Sequence, residues 1–153
     1  MADITETTEV AADVADVWAV LADFDSIARW ASNVDHSSST TAQVAGVGAA
    51  RRVQVGRNAL LETVVTWEPE RVLAYELSGL PPIVRSVVNE WRLEPAADGA
   101  TTVSLTSRIE AGPRPPQKAA ARAFGRVLAK TSRQLLDGLK TEAEARAETG
   151  VTR

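Results

Sequence analysis

Residues 115–148 read PPQKAAARAFGRVLAKTSRQLLDGLKTEAEARAE, and this run sets the terms for the rest of the chain. It follows Gly112-Pro113-Arg114-Pro115-Pro116, a stop for any earlier element, and holds no further proline. Phe124, Val127, Leu128, Leu135 and Leu139 recur at spacings of three, four and seven, with Thr131 in the gap. That is the stripe of one amphipathic helix. Arg122, Arg126, Lys130, Arg133, Asp137 and Lys140 fall mostly on the remaining arc. At ~1.5 Å per residue the helix spans roughly 50 Å. No other helix candidate is half as long, so the other elements must supply the surface that buries its stripe.

Working outward, the 153 residues fit one domain, expected over 1–148 with a flexible tail at 149–153. No stretch approaches the ~20 apolar residues of a membrane span. The opening Met-Ala-Asp-Ile-Thr-Glu has neither the basic nor the apolar region of a signal peptide, so a cytoplasmic location is expected. The absence of cysteine excludes disulfides, thiolate metal sites and cysteine nucleophiles.

The net charge of −3 hides an asymmetry. Residues 1–35 hold eight acids against Arg29 alone, whereas residues 114–140 hold seven bases against Asp137. A solvated helix face attracted to an acidic neighbour accounts for this. An anionic membrane or nucleic acid is the sharper alternative, and an acidic chain without interleaved aromatics is a poor nucleic-acid binder.

Between these ends the pattern is short helices and then strands. Ile4 to Val10 alternates as a first strand. Asp13 is placed to cap a short helix whose buried face is Val14, Val17, Trp18 and Leu21. A second short helix starts at Asp25-Ser26 and carries Ile27 and Trp30 on one side. Six period-two segments follow, at about 34–41, 51–55, 59–67, 71–78, 84–94 and 101–110, with turns at Gly56-Arg57-Asn58 and Ala97-Asp98-Gly99. Links this short require antiparallel neighbours. The fold class is therefore α+β: seven antiparallel strands that can curl round the terminal helix.

The parity of each strand names its inner face. Val103, Leu105, Ser107 and Ile109 alternate cleanly with polar residues. The same test turns inward Val87, Asn89, Trp91 and Leu93; Leu73, Tyr75 and Leu77; and Leu61, Thr63, Val65 and Trp67. Arg51, Val53 and Val55 are expected to join them, as are Val34 and His36, with Arg51 free to snorkel out at its strand end. Glu62 and Glu76 then fall outside. An unpartnered buried polar group costs on the order of 1–3 kcal/mol. His36, Arg51, Thr63, Tyr75, Asn89 and Ser107 on one inner face therefore point to a cavity. Gly125, beside Phe124, is expected to leave room for a ligand there.

Ala12 to Phe24, read at Asp13, Val17, Trp18, Leu21, Asp23 and Phe24, with Trp30 six residues on, resembles the opening of the START-like (SRPBCC) superfamily. This group includes polyketide cyclases, lipid-transfer domains and birch-pollen-allergen-like proteins. The resemblance continues through Gly48, Trp67-Glu68-Pro69 with Arg71-Val72-Leu73-Ala74-Tyr75, and Gly99-Ala100-Thr101-Thr102-Val103. It implies a helix-grip fold, in which a seven-stranded antiparallel sheet grips the long helix round a largely apolar cavity. Many members place a proline shortly after the residue matched by Trp30, where this chain has Ala31-Ser32-Asn33. Ser78-Gly79-Leu80-Pro81 is similar to the gate loop of plant abscisic-acid receptors. By strand count it joins the fifth and sixth strands rather than the third and fourth, so it is read as a turn, with residues 79–84 a candidate mobile rim.

One histidine and no clustered carboxylates fall short of a metal site, and no Gly-x-Ser-x-Gly or phosphate-cradling loop is present. No metal and no cofactor are expected. Three functions remain. The first is binding of a small hydrophobic ligand by Trp30, Val53, Thr63, Val65, Trp67, Tyr75, Asn89, Trp91, Ser107, Phe124 and Leu128. The second is polyketide cyclisation or dehydration by general acid–base chemistry of Tyr75, His36 and Arg51. The third is a protein-interaction module whose cavity is vestigial. The expected partners are a small hydrophobic ligand and at most a weakly associating second copy, with no nucleic acid and no integral membrane association.

Overall fold

The computed structural model describes residues 2–80, 84–112 and 114–151. The strands are β1 (Ala2–Val10), β2 (His36–Ser39), β3 (Ala50–Val55), β4 (Asn58–Glu68), β5 (Val72–Ser78), β6 (Val84–Pro95) and β7 (Thr101–Ala111). The helices are α1 (Val14–Ala22), 3-10 helices over Phe24–Arg29 and Ala97–Gly99, and α2 (Pro115–Val151). All seven strands form one antiparallel sheet in the order β1-β7-β6-β5-β4-β3-β2. This is the helix-grip arrangement. Of the candidate rim, Pro81–Ile83 lie outside the described residues; of the candidate tail, Thr149–Val151 continue α2 and Thr152–Arg153 lie outside them.

Local chemistry explains the element ends. Asp13 caps α1 by accepting the Asp16 backbone N–H at 2.9 Å. Gly56, at φ +59°, supplies the positive φ that a two-residue hairpin asks of its first residue, and Val55 then pairs with Asn58.

The long helix packs against β1, β7 and α1 and stands off from β3, β4 and β5. The buried side of α2 mixes small residues with leucines. Ala121, Gly125, Ser132 and Ala143 are buried there, together with Leu128, Leu135, Leu136 and Leu139. Phe124 is only half buried and Val127 is 60% exposed. The apolar stripe is therefore split: small residues seat the helix on the sheet, and one flank of large residues faces elsewhere.

Gly125 does not leave room for a ligand. A Cβ there would lie 2.6 Å from Ile4 Cδ1 and 3.7 Å from Ile109 Cδ1, so its missing side chain lets α2 settle on β1 and β7. Gly138 similarly admits the backbone of Trp30, whose carbonyl oxygen a Cβ would overlap.

The charge asymmetry is partly spent inside the molecule. Arg133 pairs with Glu6 at 2.7 Å and Arg146 with Asp16 at 3.4 Å. Lys140 donates to the Glu9 carbonyl and to Glu144, each at 2.8 Å. Glu144 also accepts the Ala11 N–H at 2.8 Å, and these two hydrogen bonds hold its carboxyl below the usual range.

Alanine normally stabilises an exposed helix interior by up to ~1 kcal/mol over glycine. Gly138→Ala should do the reverse, because backbone cannot yield as a flexible side chain can, and overpacking costs about 1–3 kcal/mol. A lower urea midpoint is expected for Gly138→Ala. Gly125→Ala, meeting only the mobile tip of Ile4, should lose less.

Candidate functional site

Where α2 stands off the sheet, a cavity of about 480 Å³ opens between the helix and β3–β6. Its apolar wall includes Val53, Leu60, Leu77, Phe124, Leu128 and Leu135. Val127 stands at its edge. Gly79 and Leu80, leaving β5, complete that side.

The hairpin register places the polar groups. Arg51 pairs across with Glu62, Val53 with Leu60 and Val55 with Asn58. Residues directly opposite on paired strands share a face, so Glu62 points inward together with Arg51. Arg51 is only 2% exposed. Its Nε donates to Glu62 Oε1 at 2.7 Å, its Nη2 lies 2.7 Å from the same oxygen, and its Nη1 donates to the Phe24 carbonyl at 2.6 Å. Its guanidinium carbon sits 3.8 Å from the Phe24 ring centre and 4.7 Å from that of Tyr75. A desolvated cation gains most from such aromatic faces. Glu62, not Arg51, lines the cavity.

A polar rung crosses the sheet beside this pair. Tyr75 is registered with Asn89, and Asn89 with Ser107. Ser107 donates to Asn89 Oδ1 at 2.6 Å, and Trp91 Nε1 donates to the Tyr75 hydroxyl at 3.1 Å. Burial raises the Tyr75 phenol above its ordinary value, and the charge of Glu62 adds to this. Arg51 and the hydrogen bonds to Trp91 and Asn89 oppose the shift without cancelling it. Tyr75 is therefore a neutral phenol with a proton to share.

Of the residues expected at the site, Val53, Tyr75, Asn89, Phe124 and Leu128 line the cavity. Trp91 and Ser107 lie behind it as partners of Tyr75 and Asn89. Trp30 packs edge-on against Trp91 at 6.1 Å and against Gly138, away from the cavity. Trp67 meets Trp18 edge-on at 5.2 Å.

Several expected positions are corrected. Thr63 and Val65 face outward, as does Leu61; Leu61 and Val65 are 44% and 43% exposed. The inner positions of β4 are Leu60, Glu62 and Val64. A bulge between Val64 and Thr66 then flips the parity, which brings Trp67 back toward the core. His36 is exposed on the edge strand β2, opposite Gln54, and does not join Tyr75. Val34 is buried but precedes the strand, so its orientation does not carry over to His36. Arg51 does not snorkel out.

The sequence reading missed Glu62, Asn33, Leu60 and Thr131, all of which line the cavity. Glu62 and Leu60 had a usable signal, since a two-residue turn at Gly56-Arg57 places them opposite Arg51 and Val53, and Thr131 lies in the gap of the helix stripe. Asn33 Oδ1 is buried and has no hydrogen-bond partner among the described residues. Among these residues no three His, Asp or Glu side chains gather as a metal site, and no helix is long and apolar enough to cross a membrane.

Similar structures place this geometry among known proteins. The ZhuI aromatase/cyclase of Streptomyces sp. R1128 superposes with a TM-score of 0.78 at 25% identity, covering 95% of this chain and 94% of that one. A Thermobifida fusca protein solved by NMR gives 0.78 at 26% identity, covering 94% and 93%. The di-domain ARO/CYC BexL, from the BE-7585A biosynthetic pathway, shares the fold at 17% identity with a TM-score of 0.77; 94% of this chain aligns to 47% of that one. No curated protein matches the sequence. The model of the family described as polyketide cyclase / dehydrase and lipid transport matches residues 1–144, nearly the whole helix-grip unit, and the chain belongs to that family.

Proposed function

We propose that the protein binds a small, mostly apolar molecule between α2 and β3–β6. The observation that carries this is the cavity itself. About 480 Å³ with a largely apolar lining and a few convergent polar groups falls within the ~300–1,000 Å³ typical of small-ligand sites. A void of this size does not favour a vestigial cavity serving only a protein-interaction module.

A second function is favoured by one observation: a carboxylate, Glu62, and a neutral phenol, Tyr75, line the same void. In an aldol-type closure Glu62 would take a proton from the carbon between two carbonyls. The Tyr75 hydroxyl would hydrogen-bond the developing enolate oxygen. The enolate carbon would then bond to a second carbonyl carbon, whose oxygen takes back the proton held by Glu62 and becomes a hydroxyl; that hydroxyl would leave as water with the second hydrogen of the attacking carbon, and a carbon–carbon double bond would form between the two carbons. Similarity to the ZhuI aromatase/cyclase at 25% identity supports this chemistry. Neither His36 nor Arg51 takes part: the first lies outside, and the second is committed to Glu62 and Phe24.

Filling the void tests the binding function. Thr131 faces it from α2, so Thr131→Trp should weaken binding of the neutral dye prodan by at least about tenfold while leaving thermal unfolding nearly unchanged. Unaltered affinity would place the dye, and the site, elsewhere. For the cyclase function, Glu62→Gln, assayed at a temperature where circular dichroism shows the variant folded, should abolish turnover of a poly-β-keto substrate while dye is still bound. Undiminished turnover would remove Glu62 as the base.

Tyr75 is the only tyrosine, so its ionisation can be followed alone at 295 nm. The unfolded chain ionises near its ordinary value of 10.0, whereas the folded phenol resists. The Tyr75 contribution to stability is thus complete below that pH and is lost as pH rises above it. Tyrosinate absorbance should therefore appear only above pH 10, together with loss of the circular dichroism of the fold. Ionisation at the ordinary value with the fold intact would contradict the buried, neutral phenol.

A further inference from the structure

The first half of α2 divides into four ridges, each running through residues four apart. Ala121 and Gly125 seat the helix on the sheet, and Phe124 and Leu128 face the cavity. The third ridge, Ala119, Ala123 and Val127, is exposed and reaches the cavity edge at Val127. The fourth is Lys118, Arg122, Arg126 and Lys130, exposed bases in a row that Arg114 continues just before the helix. Arg122, Ala123 and Phe124 step from ridge to ridge, so the exposed apolar row lies between the bases and the cavity wall. None of these five bases has an ion-pair partner among the described residues, whereas Arg133, Lys140 and Arg146 further along are each paired. Residues 111–136 contain no acid. Like charges four residues apart weaken a helix, and the first turn of α2 has no acid to suit the helix dipole. Helix stability therefore does not account for the row.

We propose that this ridge docks the protein on an anionic phospholipid bilayer, with the exposed alanine and valine row against the headgroups and the cavity edge turned to the membrane. A charged surface attracts bases in aggregate, so a line of them suffices. Protein partners instead draw most of their binding energy from pockets and aromatic anchors. Here the row beside the bases holds nothing larger than valine. The net charge of −3 does not prevent adsorption, because charges beyond about 8 Å are largely screened at physiological ionic strength. Little apolar surface enters the interface, so the attachment is electrostatic, reversible and sensitive to salt. Val127 belongs to the exposed ridge and also stands at the cavity edge, which gives a mostly apolar ligand a short apolar path between bilayer and cavity. Docking goes beyond the binding function and does not rest on it, since the bases lie outside the cavity.

The test is sedimentation of the full chain with vesicles of phosphatidylcholine, alone or with about 30% phosphatidylglycerol. Wild-type protein should partition at least about tenfold more strongly onto the anionic vesicles and leave them in about 0.5 M sodium chloride. Arg122→Glu/Arg126→Glu/Lys130→Glu should weaken that partition by at least about tenfold. Arg29→Glu/Arg52→Glu/Arg71→Glu, an equal change of charge at exposed sites elsewhere, should weaken it by less than about threefold. Equal partition of wild type onto the two kinds of vesicle would overturn the proposal and needs no variant. Equal loss in the two folded variants would also overturn it, since net charge and not the ridge would be responsible. The chain has no cysteine, so Ala123→Cys can carry a single NBD label. Its emission should move to the blue on anionic vesicles, while the same label on Arg71→Cys should not respond. No shift at Ala123→Cys would overturn the docking face even if the charge variants misfold. Binding to soluble polyglutamate but not to the vesicles would overturn the proposal and assign the ridge to an acidic polypeptide.

Discussion

A single buried guanidinium holds open the half of the molecule that the long helix does not reach. Arg51 ties β3 to β4 through Glu62 and ties both to the 3-10 helix through the Phe24 carbonyl, under two aromatic rings. Breaking a buried pair by removing one partner typically costs about 3–5 kcal/mol, because the other charge is left stranded. On the opposite side the sheet is held by α2, which sits on β1 and β7 and is bonded to the start of the chain through Glu6, Glu9 and Ala11. The cavity is the interval between these two anchorages. An apolar pair in place of Arg51 and Glu62 could hold the strands together as well, but it would leave no carboxylate in the cavity.

Most of the fold was legible in local pattern. In β7 the alternation of residues, and in β6 the large apolar residues Val87, Trp91 and Leu93, marked the inner face correctly, because neither strand has a parity break over the residues used. β4 defeated the same test for two physical reasons. Its inner face carries Glu62, which is tolerated there only because Arg51 lies opposite, so hydrophobicity along one strand points the wrong way. Its bulge after Val64 then makes a single parity invalid along its length. The turn held the missing constraint. With Val55 paired to Asn58, an inward Arg51 requires an inward Glu62, whatever the hydropathy of either strand. Asn33 carried no comparable signal, because a loop has no periodicity to read.

The helix shows the opposite kind of ambiguity. Its period was unmistakable, yet period alone says which residues share a face and not what that face meets. Two surfaces compete for the stripe. Contact with β1 and β7 demands close approach, so alanine, glycine and serine alternate there with leucine. The flank toward β3–β5 meets no backbone, and larger side chains reach into the gap without filling it. The sign of the glycine effect follows from this division. A glycine facing a void would be a weak point in the helix, whereas one pressed against the Trp30 carbonyl is a condition for docking it.

The contrast between satisfied and unsatisfied polar groups carries the functional argument furthest. The rung from Tyr75 to Ser107 is closed on itself, so it stiffens the floor of the cavity and asks little of a ligand beyond what the phenol can donate. Buried networks of this kind are favourable when complete and costly when partial. Asn33 and Glu62 are partial. Their desolvation is tolerated by a fold otherwise stabilised by Arg51, by three aromatic pairs and by the leucines of α2. The proposed proton removal would use the same carboxylate that Arg51 holds in place. In the proposed cyclase function one side chain would thus serve both the fold, as the partner of Arg51, and the removal of a proton.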